Sequence, residues 1–458
     1  MNLRKYTQEF GYNLKLAYPI ILAMLGHTVV GIIDNIMVGK IGATELAAAS
    51  LANSFIFIAL SVGVGFSTAI TPLVAAADTE NDVVKGRNVF VNGVFLCTFL
   101  GILLFSILYF SKPLIDLMNQ PKEVTVLAKP FLEIAGLSLI PLVIYQGFKQ
   151  FADGKSVTKY SMYATILCNV VHVFINYVLI YGVWFFPEMG MMGAAYGTFI
   201  SRIVMLVYLM YLMNRNALFD PFIKKVRLSE IQWSMSKYIA KIGIPSSMQS
   251  LFEVALFTGA VWISGMLGTV SQAANQIALS MSSMTFMFAS GLGVAAMIRV
   301  GNQKGLKDYA KMETVAKSII LMTFFLYAGF ALFFMLFHNY IPLLFLDHHD
   351  PQQAVMNDEV IALAGKLLLI AAIFQISDGI QVTALGALRG LQDVNVPMII
   401  TFVSYWVIGF PLCIYLALYT PLKAEGIWYG LLAGLTAAAF FSYLRFHFMA
   451  KKYINTIN

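Results

Sequence analysis

Twelve apolar segments, each of about 20 residues or more, follow one another along the 458-residue chain. A helix of that length crosses the hydrocarbon core of a bilayer while satisfying all its backbone polar groups internally. Charged residues make up only 12% of the chain, against about 25% in soluble domains, and they cluster between the apolar segments. The sequence therefore predicts an all-α integral membrane protein with little room for a soluble domain.

The predicted spans share this apolar character and lie at about residues 12–37, 46–75, 88–111, 125–149, 160–185, 191–213, 238–264, 273–299, 314–340, 360–388, 396–419 and 426–449. If the N-terminus is cytoplasmic, 23 of the 30 lysines and arginines lie on or near the cytoplasmic side, in agreement with the positive-inside rule. We therefore expect a multi-pass protein of the cell inner membrane with both termini in the cytoplasm. The acidic segment Leu346–Glu359 is then expected on the outer side.

The longest polar connection, residues 214–237, divides the chain nearly in half, and the two halves repeat each other. At a constant shift of 226 residues, Pro19 matches Pro245, and further Gly, Ala and Asp pairs follow without a gap. We predict a six-helix lobe over residues 1–213, a cytoplasmic linker, and a second six-helix lobe over residues 238–458. Lobes related in this way typically hold the substrate between them and alternate access by rocking.

One ionisable residue, Glu253, lies near the centre of the seventh predicted span. A charge at that depth costs at least about 2.5 kcal/mol, so such a residue usually faces a protein interior and marks a transport pathway. Polar and small residues recur around it at helical spacing, namely Ser246, Gln249, Ser250, Phe257, Ala260 and Ser264. The stripe predicts the lining of a cavity. The alternative is that Glu253 closes a static buried hydrogen bond.

A second acidic residue, Asp378, lies in the tenth predicted span, with Gln375 and Gln381 one turn to either side. Two carboxylates in one apolar lobe are too costly to leave charged and unpaired. Either one of them holds a proton or a cation lies between them. Oxygen ligands of this kind suit a hard cation such as Na⁺, so Glu253 and Asp378 form a candidate Na⁺ or H⁺ site.

The N-terminal lobe carries different ionisable residues. At the shift of 226, the position of Glu253 is taken by His27, and Asp34 corresponds to Ala260. Inward-facing polar groups on neighbouring helices tend to contact one another; besides His27 and Asp34, helices 1, 2 and 5 carry Asn35, Ser50, Asn53, Ser54, Asn169, His172 and Asn176. The alternatives are interhelical hydrogen bonds without a transport role for the Asn and Ser residues, and packing as neutral imidazoles for the histidines.

No Walker A loop, HExxH, GxSxG or CxxC pattern occurs in the sequence, which argues against an ATPase or a hydrolase. Cys97, Cys168 and Cys413 fall inside apolar segments, so we expect buried thiols without a disulfide. The net charge of +7 lies in short loops, where membrane orientation explains it better than nucleic-acid binding. Methionines are dense around helices 7 and 8, which suits either a promiscuous binding pocket or ordinary membrane packing.

Four segments together resemble the multidrug and toxic compound extrusion (MATE) transporters of the NorM branch. They are YPIIL at Tyr18–Leu22, IDNIMVGKIG at Ile33–Gly42, IPSSMQSLFE ending at Glu253, and ISDGIQVTALGALRGLQD from Ile376. The resemblance covers essentially the whole chain. It implies twelve helices in two six-helix lobes, and export of cationic, amphipathic drugs and dyes against an inward flow of Na⁺ or H⁺.

The resemblance also implies roles for individual residues. Glu253 and Asp378 match the cation site of the C-terminal lobe, Phe257 matches an aromatic residue beside it, and Asp34 matches the acidic residue of helix 1. Thr198 matches a threonine in the proton site of the related DinF branch.

Two departures bear on these roles. His172 and Asn176 occupy the positions where the DinF branch has Asn and Asp, which weakens any claim to that proton site. Phe374 replaces a tyrosine that some NorM members carry one turn before the helix-10 acid, so one oxygen ligand of the cation site is expected to be missing.

These observations predict a cation-coupled exporter that is not an enzyme and needs no cofactor beyond Na⁺ or H⁺. We expect a monomer that binds small cationic or amphipathic compounds and no nucleic acid. The expected cavity-lining residues are Phe257, Gln249, Gln381, Asn53, His172, Asn176 and Thr198. One alternative is a lipid-linked oligosaccharide flippase of the same superfamily, which typically has a more cationic cavity. A membrane enzyme or receptor is another, which the duplication and the missing motifs disfavour.

Overall fold

The computed structural model describes residues 3–117, 121–346 and 354–455, and within these ranges it contains helices and no strand. The twelve long helices, in chain order, are α1 (Phe10–Gly39), α2 (Ala43–Ser67, continued by Ile70–Thr79), α3 (Val83–Ser111), α4 (Lys122–Leu137, continued by Leu139–Gly154), α5 (Thr158–Tyr181), α6 (Met191–Asn214), α7 (Trp233–Met266), α8 (Thr269–Gly305), α9 (Tyr309–Phe337), α10 (Ala354–Gly390), α11 (Asn395–Phe402, Val403–Gly409 and Phe410–Leu418) and α12 (Ala424–Asn455). Each predicted span falls on one of them. Most of the acidic segment Leu346–Glu359, residues 347–353, lies outside the described residues.

Short helices join or precede the long ones, and they are Arg4–Thr7, Leu114–Leu117, Ala217–Phe219, Asp220–Ile223, Leu228–Glu230 and Ile341–Leu344. Among the described residues, eleven helical segments are long and apolar enough to cross a membrane. The predicted span outside this set is α7, which is long enough at 34 residues but is less apolar, because its central part carries Ser246, Ser247, Gln249, Ser250 and Glu253.

The predicted repeat is visible in the helix bounds. Helix α3 covers Val83–Ser111 and α9 covers Tyr309–Phe337, so both ends are displaced by the same 226 residues. The residue before each helix is an aspartate, Asp82 or Asp308, whose carboxylate accepts a hydrogen bond from the backbone N–H three residues later at 2.9 Å. Such caps satisfy a free amide at a helix start. The two halves therefore use the same local signals.

Contacts divide the chain into two compact units. We call Pro19–Met248 the N-terminal unit, and Gln249–Asn458 together with Met1–Tyr18 the C-terminal unit. The divisions fall inside α1 and α7, so each of these helices begins in one unit and ends in the other. The lobe boundaries at residues 213 and 238 remain a prediction.

Polar contacts hold the first residues of the chain within the C-terminal unit. Arg299 on α8 is 5% exposed, and its guanidinium donates to Asn13 Oδ1 at 2.7 Å and to Glu9 Oε2 at 2.8 Å. Lys311 also forms an ion pair with Glu9, and the Asn13 amide donates to Ser318 Oγ at 3.2 Å. The start of α1 is thereby fixed to α8 and α9.

The polar connection between α6 and α7 packs against the N-terminal unit. Arg87 on α3 forms an ion pair with Glu230 at 2.6 Å and donates to backbone carbonyl oxygens at Pro221 and Lys224, both at 2.9 Å. The Ser236 hydroxyl at the start of α7 donates to Asn92 Oδ1 at 2.9 Å. The connection is therefore an ordered part of this unit.

Helix α11 contains a π-helix over Val403–Gly409. Pro411 lies two residues after its end, and because proline has no N–H, it cannot donate the usual helical bond to the carbonyl of Val407. Gly409 also lies very near Gly434 of α12, since a Cβ at Gly409 would be 3.1 Å from the Gly434 Cα. Single π turns occur frequently at functional sites, and this one directs a fully buried tyrosine, Tyr405, inward.

Candidate functional site

The two carboxylates predicted in the C-terminal half lie together inside the C-terminal unit. Asp378 on α10 is 4% exposed, Glu253 on α7 is partly buried, and the two interact electrostatically. Two like charges that interact in a buried setting cannot both persist without compensation. The arrangement can therefore hold a proton or a cation.

Several buried polar atoms on α10 and α11 have no hydrogen-bonding partner among the described residues. They are both amide atoms of Gln375 and of Gln381, Oδ1 of Asp378, Oγ of Ser404 and Oη of Tyr405. Buried polar atoms are nearly always satisfied, so a group of them indicates a place that holds water or an ion. Most are oxygens, which are the ligands that hard cations prefer.

Two tyrosines contribute phenolic groups close to the carboxylates. Tyr405, from the π-helix, interacts electrostatically with Glu253 and Asp378. Tyr327 on α9 interacts with Asp378, and its hydroxyl donates to the carbonyl oxygen of Thr285 at 2.5 Å. The oxygen expected to be missing at Phe374 thus has a counterpart in Tyr405, which is not among the site residues predicted from the sequence.

Aromatic rings pack beside the carboxylates. Phe257 lies one turn after Glu253 on α7 and packs edge-on against Phe374 with ring centroids 6.1 Å apart. Phe374 in turn packs edge-on against Trp428 at 5.3 Å. The Trp428 indole N–H donates to Asn275 Oδ1 at 3.0 Å. These contacts give the unit a rigid aromatic layer that ends at the partly buried Phe257.

A buried cation, Arg389, also lies in this unit, one residue beyond the predicted end of the tenth span at residue 388. Arg389 is inside α10, where its guanidinium donates to Gln249 Oε1 at 2.9 Å and interacts electrostatically with Glu253. Gln249, expected to line the cavity, is 1% exposed, and its amide nitrogen also donates to the carbonyl oxygen of Val394 at 3.1 Å. Gln249 therefore fixes Arg389 in place.

The N-terminal unit brings together three of the predicted polar residues. His172 Nε2 lies 2.8 Å from both carboxylate oxygens of Asp34, and the Asn176 amide donates to Asp34 Oδ1 at 2.7 Å. The Asp34 side chain is 27% exposed and that of His172 is 8% exposed. Helix α1 thus supplies the acid and α5 supplies its partners.

Helix α6 extends this cluster. Ser201 Oγ lies 2.8 Å from His172 Nδ1 and donates to the carbonyl oxygen of Thr198 at 3.0 Å. The Thr198 hydroxyl itself donates to the carbonyl of Ala194 at 2.9 Å, so this residue contributes through its backbone. Ser201 is not among the site residues predicted from the sequence, although its spacing of three residues from Thr198 places both on one side of a helix.

A glycine on α6 makes room for the cluster. A Cβ at Gly197 would lie 1.8 Å from Asn176 Oδ1, closer than any non-bonded contact allows. Helices α5 and α6 therefore approach closely at this point. Gly26 has a comparable role on α1, because its missing Cβ would lie 2.6 Å from Asn169 Nδ2.

Two other predicted polar residues of the N-terminal unit are not hydrogen-bonded to Asp34. Asn53 on α2 and His27 on α1 are exposed, and among the described residues no hydrogen bond joins either to Asp34. The three cysteines are buried and free, as expected. In the part of the chain that the structure describes, no group of three His, Cys, Asp or Glu side chains is arranged to hold a metal, so a cation at Glu253 and Asp378 would depend on amide and hydroxyl oxygens as well.

The chain is similar to known proteins over most of its length. The MatE family model matches residues 19–178 and 245–415, which lie in both halves of the chain. The probable multidrug resistance protein NorM of Rhizobium meliloti (strain 1021) is 33% identical over 96% of this chain and 94% of its own length. The multidrug resistance protein MdtK of Proteus mirabilis (strain HI4320) is 31% identical over 95% of both chains.

The fold is similar to that of a solved structure. The crystal structure of the eukaryotic MATE transporter AtDTX14 matches with a TM-score of 0.87 at 19% sequence identity, covering 99% of this chain and 100% of that chain. At this level of identity the likeness concerns the fold. The predicted all-α membrane architecture of twelve helices in two repeated halves is confirmed.

Proposed function

We propose that this chain, which belongs to the MatE family, is a secondary antiporter that exports cationic or amphipathic organic compounds in exchange for Na⁺ or H⁺. The observation that carries the proposal is the pair Glu253 and Asp378, held inside the C-terminal unit beside unpartnered oxygens. The relatives above are named for multidrug resistance, which supports the substrate class. The activity is transport, and no enzymatic step is involved.

The C-terminal unit is the proposed site of the coupling cation. Leaving Glu253 and Asp378 both charged and uncompensated is costly in a membrane interior, and an entering Na⁺ or H⁺ removes that cost. The amide oxygen of Gln381 and the hydroxyl of Tyr405, both buried and unpartnered, are suited to coordinate Na⁺. Occupancy drives transport only if the ion binds the outward-open and inward-open states with different affinity.

The N-terminal unit is the proposed site of a separate proton. The Ser201 hydroxyl donates a hydrogen bond to the carbonyl oxygen of Thr198. Because the hydroxyl has only one hydrogen, Ser201 Oγ then accepts a hydrogen bond from His172 Nδ1. With Nδ1 protonated, His172 Nε2 can bond to the Asp34 carboxyl only if one more proton lies between them. Release of that proton requires the imidazole proton to move to Nε2 and the Ser201 hydroxyl to turn toward Nδ1. The partners of the Asp34 carboxylate are the His172 imidazole and the amide nitrogen of Asn176. Na⁺ prefers oxygen ligands, and these two nitrogen groups do not supply them.

Substrate contact is proposed at the aromatic layer and at polar groups that have no hydrogen-bonding partner among the described residues. Phe257 is partly buried beside Glu253, and an aromatic face attracts organic cations. Among the predicted lining residues, Gln381 also has free hydrogen-bonding atoms. The acidic character of both units favours cationic drugs over the anionic substrates of an oligosaccharide flippase.

The proposed location is the cell inner membrane, where the chain acts as a monomer without nucleic-acid partners. Both termini and the connection that contains Lys224 are proposed to be cytoplasmic, because most lysines and arginines then lie inside. A membrane-impermeant thiol reagent added from outside should label a cysteine introduced near Asp350, a position outside the described residues, and should not label one near Lys224. The reverse pattern would overturn this topology.

Ethidium efflux from whole cells or inverted vesicles, under Na⁺ and H⁺ gradients imposed separately, tests the proposal. We expect at least one of the two gradients to drive efflux. Efflux that responds to neither gradient would contradict an ion-coupled antiporter.

A further inference from the structure

The C-terminal unit holds a third charged group that the coupling scheme above does not use. Arg389 is fixed by Gln249, which is itself bonded to the backbone at Val394. Gln249 lies one helical turn before Glu253 on α7. The guanidinium is therefore held on the side of α7 that carries Glu253, and its Nε atom has no hydrogen-bonding partner among the described residues.

The charges that interact at this place can be counted. Arg389 interacts electrostatically with Glu253, and Glu253 interacts with Asp378. A guanidinium keeps its positive charge in proteins even when it is buried. Two ionised carboxylates and one guanidinium therefore leave one net negative charge in the empty site.

We propose that Arg389 is a fixed countercharge that limits the site to one monovalent cation, Na⁺ or H⁺, in each transport cycle. One entering cation brings the sum of charges to zero. A second would create a net positive charge beside a guanidinium, and an uncompensated buried charge is costly. This inference rests on the proposed function, because it counts ions at the proposed coupling site.

The test is an ion count on the purified full-length protein. Bound ²²Na⁺ is measured at saturation and neutral pH, and protons taken up are measured by potentiometric titration from alkaline pH down to pH 7, both relative to the Glu253→Gln/Asp378→Asn double variant. We expect one cation for the native chain, one for Arg389→Lys and two for Arg389→Gln. Adding Glu253→Gln to Arg389→Gln removes one charge of each sign, so the count should return to one.

A matched control is Arg445→Gln, which removes an arginine of the same unit that is ion-paired with Asp393 at 2.7 Å. The count for this variant should stay at one. A count of two in the native chain, or of one in folded Arg389→Gln, overturns the proposal. If the Arg389→Gln variant does not fold, the native chain and Arg389→Lys still test the proposal. Two bound cations in either of them contradict it. A native count of zero for both ions contradicts the proposed coupling site instead.

Discussion

The two units differ in whether protein side chains bond to their membrane-embedded carboxylates. In the N-terminal unit, both oxygens of Asp34 are bonded to side chains of α5. In the C-terminal unit, Oδ1 of Asp378 has no partner among the described residues, and a second carboxylate lies within electrostatic reach. In the N-terminal unit, protein side chains supply the hydrogen-bonding partners of the carboxylate. In the C-terminal unit, an ion or water must supply them.

This difference shows that duplication preserved the helices and not their chemistry. The helix starts and aspartate caps repeat at a fixed spacing, because every copy must satisfy the same backbone requirements. The buried charges follow no such requirement. Each unit could therefore acquire its own ionisable groups on an unchanged scaffold.

The largest expected effect comes from removing either carboxylate of the C-terminal site. Glu253→Gln and Asp378→Asn should each abolish gradient-driven ethidium efflux, because the remaining carboxylate and the Arg389 guanidinium then leave no net negative charge for an entering cation to neutralise. The double variant should be scarcely worse than either single one, since residues of one site are not additive. Glu313→Gln is the control, because Glu313 is a carboxylate of the same unit already paired with Lys317 at 2.6 Å. Normal efflux by Glu253→Gln under both gradients would show that this carboxylate is structural.

Asp34→Asn addresses the partnered carboxylate. It should impair export several-fold, because the asparagine cannot share a proton with His172 as the carboxyl does. Na⁺ binding by the C-terminal unit should be unchanged in the same protein, since the two sites are built from different helices. Efflux and ²²Na⁺ binding measured side by side check this expectation. Loss of both together would argue for one shared site.

A smaller effect should follow from crowding the partners of Asp34. Gly197→Ala places a methyl group against Asn176, and overpacking of this kind typically costs about 1–3 kcal/mol. We expect a lower thermal unfolding midpoint and weaker export. Gly31→Ala on α1 is the matched control, because no atom lies within 4 Å of its added Cβ. Equal midpoints for the two variants would contradict the close approach of α5 and α6.

The smallest effect is expected from an ion pair outside both sites. Burial alone would raise the pKa of Glu9, but hydrogen bonds from Lys311 and Arg299 outweigh it, so the pKa of Glu9 lies below its usual value of 4.5. The pair therefore stabilises the fold above pH 4.5 and loses that contribution as the pH falls further. Glu9→Gln should reduce stability at pH 7 by about 1 kcal/mol, and the difference from the native chain should shrink in acid.

A measurement of ion binding distinguishes the Glu9 ion pair from the two proposed cation sites. Glu9→Gln should leave ²²Na⁺ binding unchanged, because Glu9 is compensated by its own partners. A change in the number of ions bound would mean that the C-terminal site extends to the start of the chain.

The helices and the duplication were predictable because apolar length and repeated residues are local patterns in the sequence. Glu253 and Asp378 were predictable because a carboxylate in an apolar segment is itself a signal. Arg389 was not, since an arginine at the predicted end of a span is indistinguishable from a loop charge until the length of α10 is known.

The contributions of Tyr405 and Ser201 also required the structure. Which face of a helix meets its neighbours depends on packing, and the π-helix of α11 shifts the helical phase on which any sequence-based assignment relies. Pro411 was the available signal, because it removes a backbone hydrogen bond in the preceding turn.

The assignment of residues 1–18 to the C-terminal unit has a consequence for biogenesis. The hydrogen bond between Asn13 and Arg299 joins residues that are 286 positions apart. At translation rates of about 5–20 residues per second, about 15–60 s pass before the ribosome has made the arginine that the asparagine contacts. The start of α1 therefore reaches its native contacts only after α8 has been made, and during that interval its polar side chains depend on water or the insertion machinery.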